Sequence, residues 1–364
     1  MRVRAAVLRE GHAPFSVEEL DLAGPSDHEV LVRIVAAGMC HTDLLSRELP
    51  RETFAGPQVY GHEGAGVVEA VGSAVSHVVA GDHVVLSFDS CGDCQACSAR
   101  RRPHCFNSRQ HNMSGGRGDG TSAFTDSSGE RVGSHFFGQS SFASHTVAAA
   151  NSVVKVDQSL DLARLGPLGC GIQSGAGAIF NTLGVESGSS IVIAGAGALG
   201  LSAIMAAKVA GAGRIIAIDR HESRLELASG YGATDVFNGD PADLKAIIVR
   251  LTGVGSDYAF DTTGNAAVVR ACVNGLNPIG TCALAGVSFG ELVLDHLPLI
   301  SGRTVTGVIE GDSTPEELIP HLAQLNADGV FPFHELITEF PLDQINEAER
   351  ASADGSVIKP VLRF

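Results

Sequence analysis

The sequence predicts an α/β protein in two parts, an irregular, largely β part and a doubly wound parallel sheet covered by helices. Three observations predict it. The first 150 or so residues alternate short apolar runs with Gly, Pro and Asp turns, the pattern of short strands. From about Ile172 strand and helix patterns alternate, which means βαβ units and a parallel sheet. The length of 364 residues suits two domains at about 150 residues each. The boundaries expected are 1–171 with 309–364 for one domain, and 172–308 for the other.

In order, V-L-V-R-I-V-A-A from Val30, G-V-V-E-A-V-G from Gly66 and D-H-V-V-L-S-F from Asp82 read as strands of the first part. The polar, Gly-rich stretch from Asn107 to about His135 reads as a long surface loop. In the second part, I-V-I-A from Ile191 is a buried strand and G-L-S-A-I-M-A-A-K-V-A-G from Gly200 a helix. R-I-I-A-I-D from Arg214 is a strand, and S-R-L-E-L-A-S-G from Ser223 a helix. Runs from Ala259, Cys282 and Val305 continue the alternation, and K-P-V-L-R-F from Lys359 ends the chain as a strand. No internal repeat is present.

Composition narrows the function. Hydrophobic residues make up 44% and charged residues 18%, as in globular proteins. The net charge of −16 argues against a nucleic acid or an anionic membrane, both of which need a basic face. The first residues, M-R-V-R-A-A-V-L-R-E-G, hold no apolar core of signal-peptide length, and no run approaches a membrane span. A reducing, cytoplasmic setting is expected, and there clustered cysteines are more often metal ligands than disulfides.

Such a cluster is present. Cys91, Cys94, Cys97 and Cys105 form C-x2-C-x2-C-x7-C. Four thiols on one short lobe can surround a tetrahedral Zn²⁺, and four protein ligands leave no open position, so this zinc is structural. Disulfides or free thiols suit the tight spacing less well.

G-A-G-A-L-G, from Gly195 to Gly200, is a G-x-G-x-x-G that follows a strand and opens a helix. Gly195 permits the tight turn, Gly197 lets backbone amides approach a pyrophosphate, and Gly200 lets the helix pack on the strand. Asp219 ends the next strand, where an acid binds both ribose hydroxyls. Its charge favours NAD over a 2′-phosphate, although Arg220 or Arg224 could offset the repulsion. This is the Rossmann pattern.

Three further residues are candidates for a second metal. Cys40 lies in G-M-C-H-T-D, His62 in G-H-E-G-A-G and Cys170 in P-L-G-C-G. Together they make a Cys2His set with a fourth position open, as a catalytic zinc requires. Spacing alone cannot join them. Taken singly, the cysteines read as small buried apolar residues and His62 as a hydrogen-bonded loop histidine.

The order of these motifs resembles the zinc-containing alcohol dehydrogenases of the medium-chain dehydrogenase/reductase superfamily, over essentially the whole chain. The run G-H-E-x2-G-x5-G-x2-V from Gly61 is similar to that family's zinc signature. G-M-C-H-T-D-L from Gly38, F-G-Q-S-S-F-A from Phe137 and L-G-P-L-G-C-G-I-Q-S-G-A-G-A from Leu165 look like its bacterial benzyl-alcohol (aryl-alcohol) and geraniol dehydrogenase branch.

The resemblance implies a GroES-like, largely β catalytic domain beside the Rossmann domain. It implies two zinc ions per chain and NAD, with a small alcohol or aldehyde as substrate. Cys40, His62 and Cys170 would be the catalytic zinc ligands. Asp43 would orient His62, and Glu63 would sit close behind the metal. Thr42 would hydrogen-bond the substrate hydroxyl and start a proton relay. His41 and Lys359 would lie near the pyrophosphate, and Ser174 and Leu199 against the nicotinamide. Phe88, Phe136 and Phe137 are candidates for an aromatic pocket, with at least one belonging to the core. Leu45 stands where the family's best-known members carry a relay histidine, so His41 or water would take the proton. The activity implied is oxidation of a primary aromatic or allylic alcohol. A thiol-dependent formaldehyde dehydrogenase acting on S-hydroxymethyl adducts is the alternative. A homodimer or homotetramer is implied, paired through the Rossmann sheets.

Overall fold

The computed structural model describes residues 1–11, 13–46 and 56–364. It divides into two compact units. The first comprises Met1–Gly171, Thr314–Asp328 and Phe333–Phe364, and the second Ile172–Ser313 and Gly329–Pro332. The chain returns to the first unit at 314, five residues later than the sequence pattern suggests. The intervening turn bonds to a helical stretch of the second unit. Asn181 Nδ2 donates to the Gly311 carbonyl (3.1 Å) and Thr182 Oγ1 to Asp312 (2.8 Å).

The first unit contains two β-sheets. One runs in the order Gln58–Val59, Arg2–Leu8, Ser16–Leu22, Phe124–Thr125, Arg131–Val132. The other runs Val153–Val156, His83–Leu86, Gly64–Val71, Glu29–Gly38, Lys359–Arg363, Ile337–Pro341, with His145–Ala149 also paired to Glu29–Gly38. Val30, Val32 and Ile34 are buried at period two along their strand, so one face packs into the core beside Leu20, Phe124 and Phe142.

The stretch expected as a surface loop is more ordered than its polarity suggests. It holds the helix Ser108–Met113 and a short hairpin, Phe124–Thr125 with Arg131–Val132. Phe124 is fully buried, and Asn112 is buried where it bonds both the amide and the carbonyl of Asp89. A few buried anchors order a chain segment whose overall polarity reads as loop.

Buried Glu29 ties the same region down. It accepts from Arg117 Nε (2.8 Å), from the Ser26 amide (2.7 Å) and from His135 Nε2 (2.9 Å). Burial alone would raise its pKa, but the bonds from His135 and Arg117 hold it well below the usual carboxylate range. A depressed folded pKa gives stability that is present above the unfolded value, about 4.3, and is lost as pH falls toward the folded value. Glu29→Gln is therefore expected to cost about 1.5–3 kcal/mol at pH 7. The gap to wild type should narrow steadily below about pH 5, as read by urea unfolding across pH; a constant gap would remove this role.

The second unit is built on a six-stranded parallel sheet, ordered Asp235–Phe237, Arg214–Ile218, Ser190–Ala194, Ser256–Asp261, Leu276–Leu284, Thr304–Gly307. Arg214–Ile218 and Ser190–Ala194 near its centre are almost continuous apolar runs, as strands covered on both faces require. Asp240 and Asn265 cap the helices Pro241–Thr252 and Ala266–Gly275. From Ser190–Ala194 the chain moves outward one way, then returns to Ser256–Asp261 on the other side. That reversal is the switch point at whose carboxyl edge open α/β sheets bind ligands.

Candidate metal and cofactor sites

Cys91, Cys94, Cys97 and Cys105 come together in the first unit around the short helix Gln95–Ser98. Their Sγ–Sγ separations include 3.9 Å (Cys91–Cys97), 3.5 Å (Cys94–Cys97), 4.0 Å (Cys94–Cys105) and 3.4 Å (Cys91–Cys105). A tetrahedron with Zn–S bonds of about 2.3 Å has edges of about 3.8 Å, whereas a disulfide needs about 2.05 Å. All eight cysteines are unbridged. The Cys97 and Phe106 amides draw the half-buried Cys94 thiol down to about 6, while burial pushes Cys97 up to about 12. Four crowded sulfurs with such opposed tendencies fit a cation that would hold all four as thiolates. Arg102 ties the lobe down through Ser90 Oγ (3.0 Å) and the Asn151 carbonyl (2.6 Å), and Arg100 and Arg102 pair with Glu317 and Glu316.

A second group forms elsewhere in the first unit. One ligand atom each from Cys40, His62, Glu63 and Cys170 lies within 4.8 Å of all the others. Cys40 follows the strand Glu29–Gly38, His62 and Glu63 precede the paired strand Gly64–Val71, and Cys170 ends a run of tight 3-10 turns. Sheet pairing thus joins residues far apart in sequence. Asp43 Oδ1 binds His62 Nδ1 (2.9 Å) and accepts from the Gly61 amide (3.1 Å), while Oδ2 accepts from the Cys40 amide (2.9 Å). With Nδ1 committed to Asp43, the buried His62 Nε2 is the other donor atom, and it has no hydrogen-bond partner. An orphaned imidazole nitrogen facing two thiols fits a metal ligand whose far nitrogen is fixed by a carboxylate. Glu63 stands behind them. Thr42 Oγ1 is 3.8 Å from Cys40 Sγ.

The electrostatics agree. Bonding to Cys170 draws the Cys40 thiol well below its usual value despite burial, with Lys359 and His62 helping. Burial opposes a charged His62, but Asp43 beside it raises its pKa well above the usual value. Burial pushes the Glu63 carboxyl up to about 7 against the pull of Lys359.

Lys359, expected near the pyrophosphate, has its ammonium on Glu63. It is 2.7 Å from Oε1 and 2.6 Å from Oε2, and it also donates to the Met39 carbonyl (3.2 Å). Its side chain is 3% exposed and that of Glu63 is 0%. The Gly171 amide adds a bond to Glu63 (3.0 Å). His41 is exposed at the start of the helix His41–Ser46.

In the second unit, Gly195 has φ +92°, and a Cβ on Gly200 would lie 1.7 Å from the Gly195 carbonyl oxygen. Only glycine closes this turn so tightly. A Cβ on Gly197 would meet nothing within 4 Å, so its backbone faces open space of the kind a pyrophosphate needs. Asp219 is brought to the same turn, accepting from the Ala196 amide (2.7 Å) and the His221 amide (2.9 Å). Arg224 is half-buried, whereas Arg220 is exposed and donates to His221. Leu199 is half-buried on the first turn of the helix Ala198–Val209. Ser174 is buried in the helix Gly171–Gly177.

The three phenylalanines separate. Phe136 is fully buried in the core. Phe88 is buried with the Arg102 guanidinium 5.9 Å over its ring. Phe137 is half-buried, with its ring 4.7 Å from that of His62. Backbone strain sets it there, since His135, Phe137 and Ser140 all have positive φ. Gln139 in the same segment went unassigned in the sequence. It donates to the His62 and Ser87 carbonyls (both 2.9 Å) and accepts from the Gly64 amide (3.1 Å). The run F-G-Q-S-S-F-A contained it, but no pattern says what a lone glutamine will bind.

Residues 26–158 match the alcohol dehydrogenase GroES-like domain, and residues 198–325 the zinc-binding dehydrogenase domain. A geraniol dehydrogenase from Castellaniella defragrans is 42% identical over 368 residues, covering 99% of this chain and 97% of that one. The chain belongs to the zinc-containing alcohol dehydrogenases. A benzyl alcohol dehydrogenase from Acinetobacter calcoaceticus superposes with a TM-score of 0.95 at 41% identity, covering 100% of this chain and 99% of that one. An alcohol dehydrogenase zinc-binding domain protein from Burkholderia ambifaria gives 0.97 at 45%, with the same coverage. This alcohol dehydrogenase thus falls in the bacterial benzyl-alcohol and geraniol branch, and the family brings zinc and NAD as cofactors. Among the described residues, no helix is long and apolar enough to cross a membrane.

Proposed function

We propose that this dehydrogenase oxidises aromatic or allylic primary alcohols to aldehydes, passing hydride to NAD⁺. The observation that carries the reading is the Cys40–His62–Cys170 set with its orphaned Nε2 and the Phe137 ring packed on His62. Zinc held there would supply a Lewis acid that lowers the pKa of a hydroxyl. Asp43 holds the His62 tautomer, and Thr42 Oγ1 would hydrogen-bond the substrate hydroxyl and relay its proton, passing its own hydroxyl proton on as it takes the substrate's. His41, exposed one residue away, passes it to solvent where Leu45 cannot. Phe137 offers an aromatic face to a planar substrate. The four-cysteine lobe would hold the second zinc of each chain.

The geraniol- and benzyl-alcohol-named relatives support this substrate class over the formaldehyde–thiol alternative. NADH formation with zinc-replete enzyme tests it. Benzyl alcohol, cinnamyl alcohol or geraniol should exceed ethanol in kcat/KM, whereas activity only with formaldehyde plus a thiol would overturn the reading. Phe137→Ala should lower kcat/KM for benzyl alcohol by about 10–100-fold and that for ethanol less, since an aromatic contact contributes about 1–3 kcal/mol. An equal loss for both would remove Phe137 from the pocket. Asp219→Gly should raise KM for NAD⁺ and narrow the preference over NADP⁺; an unchanged ratio would remove Asp219 from the ribose.

Copies of the chain would pair through the second unit, forming a dimer or tetramer. Thr304–Gly307 is one of the two edge strands of the parallel sheet, and Ile279, Phe289, Val293 and Leu297 are exposed on that unit. Eight unbridged cysteines fit a cytoplasmic location.

A further inference from the structure

Among the described residues of the second unit, Glu310 and Asp312 are the non-glycine residues with positive φ, at +50° and +48°, and Gly311 between them is at +65°. Left-handed backbone is costly for residues that carry a Cβ and persists where its surroundings over-determine it. Here they do. Asn181 and Thr182 bond Gly311 and Asp312. Gly177 lets the turn approach, since a Cβ there would lie 2.4 Å from the Gly311 carbonyl oxygen.

The strain delivers one side chain inward. Glu310 is 8% exposed, and its Oε2 accepts from Gln173 Nε2 (3.2 Å) and Ser174 Oγ (3.4 Å). Ser313 Oγ donates to Gln173 Oε1 (3.2 Å), which fixes the amide with its NH₂ toward Glu310. Donors converging on a carboxyl oxygen suit the ionised form. The turn follows Thr304–Gly307 at the carboxyl edge of the parallel sheet, the edge that carries Gly195 and Asp219. Burying a carboxylate is costly, and nothing in the reaction described above uses this one.

We propose that Glu310 is a cofactor-positioning residue whose carboxylate, set behind Ser174, favours the oxidised nicotinamide over the reduced one. The oxidised ring carries a positive charge and the reduced ring none, so a buried negative charge one hydroxyl away attracts only the first. The inference rests on the NAD reading and on the place of Ser174 against the nicotinamide. A merely structural acceptor would be served by a neutral amide, and charge is what separates the two roles.

The test is the dissociation constants of NAD⁺, NADH and ADP-ribose for the full-length, zinc-loaded protein without substrate. Glu310→Gln should weaken NAD⁺ about 10-fold, equivalent to about 1.4 kcal/mol, and leave NADH and ADP-ribose within about twofold. Glu310→Gly, which the positive φ suits, should shift the NAD⁺-to-NADH ratio in the same direction if the glutamine variant fails to fold. Equal weakening of NAD⁺ and NADH, or an unmoved ratio, overturns the proposal and leaves the NAD reading standing. A wild-type protein that binds none of the three ligands overturns both.

Discussion

Cys40→Ala or His62→Ala should lower kcat for any alcohol by at least about a thousandfold while leaving the NADH dissociation constant within about twofold. Each substitution would remove one of the three proposed ligands around an open position, and with them the Lewis acid that would stabilise a developing alkoxide. His62→Ala also leaves the buried Asp43 carboxylate without the imidazole it binds at 2.9 Å. The glycine turn and Asp219 belong to the second unit and are untouched. Stopped-flow turnover beside fluorescence titration with NADH separates the two effects. Turnover retained within tenfold would exclude the Cys2His set as the catalytic centre.

Lys359→Met should destabilise the fold strongly, by up to about 3–5 kcal/mol. Glu63 is fully buried, and Lys359 is its direct ion-pair partner, touching both carboxyl oxygens. Burial alone would lower the lysine pKa, but Glu63, with Cys40 and Cys170 behind it, holds it above its usual value. Removing the cation leaves the buried Glu63 carboxyl either charged without a partner or forced to take up a proton, whereas replacing both partners removes the charges together. Lys359→Met with Glu63→Gln should therefore recover much of the loss. Chemical unfolding of zinc-loaded single and double variants measures this. A loss below about 1 kcal/mol for Lys359→Met would mean that the pair is dispensable.

The sequence was most legible where one short stretch carries a whole function. The four cysteines lie within fifteen residues, and their sulfurs meet at tetrahedral spacing. G-A-G-A-L-G lies between its strand and its helix, and Asp219 reaches that turn. The Cys2His centre was legible only through resemblance, because strand pairing and not spacing joins Cys40, His62 and Cys170. Gln139, the Glu63–Lys359 pair and Glu310 are not legible in the sequence for a related reason. Their partners lie from 52 to 320 residues away along the chain for Gln139 and Lys359, and 136 or more for Glu310. A buried polar side chain takes its role from the partner that folding brings to it, and no local pattern records that partner. The segment 107–135 went the other way, where polarity hid the buried anchors Asn112 and Phe124.

Graded zinc removal is the measurement of choice, since a zinc held by Cys40, His62 and Cys170 would supply the Lewis acid on which hydride transfer to NAD⁺ depends. Zinc per chain and benzyl alcohol turnover would be measured together as a chelator is raised, with far-ultraviolet circular dichroism on the same samples. Two zinc ions per chain are expected at the start. Loss of the ion at the open site should take turnover to zero while the fold persists, and added zinc should restore it. Full turnover after that site has been emptied would exclude a zinc held by Cys40, His62 and Cys170 from the reaction.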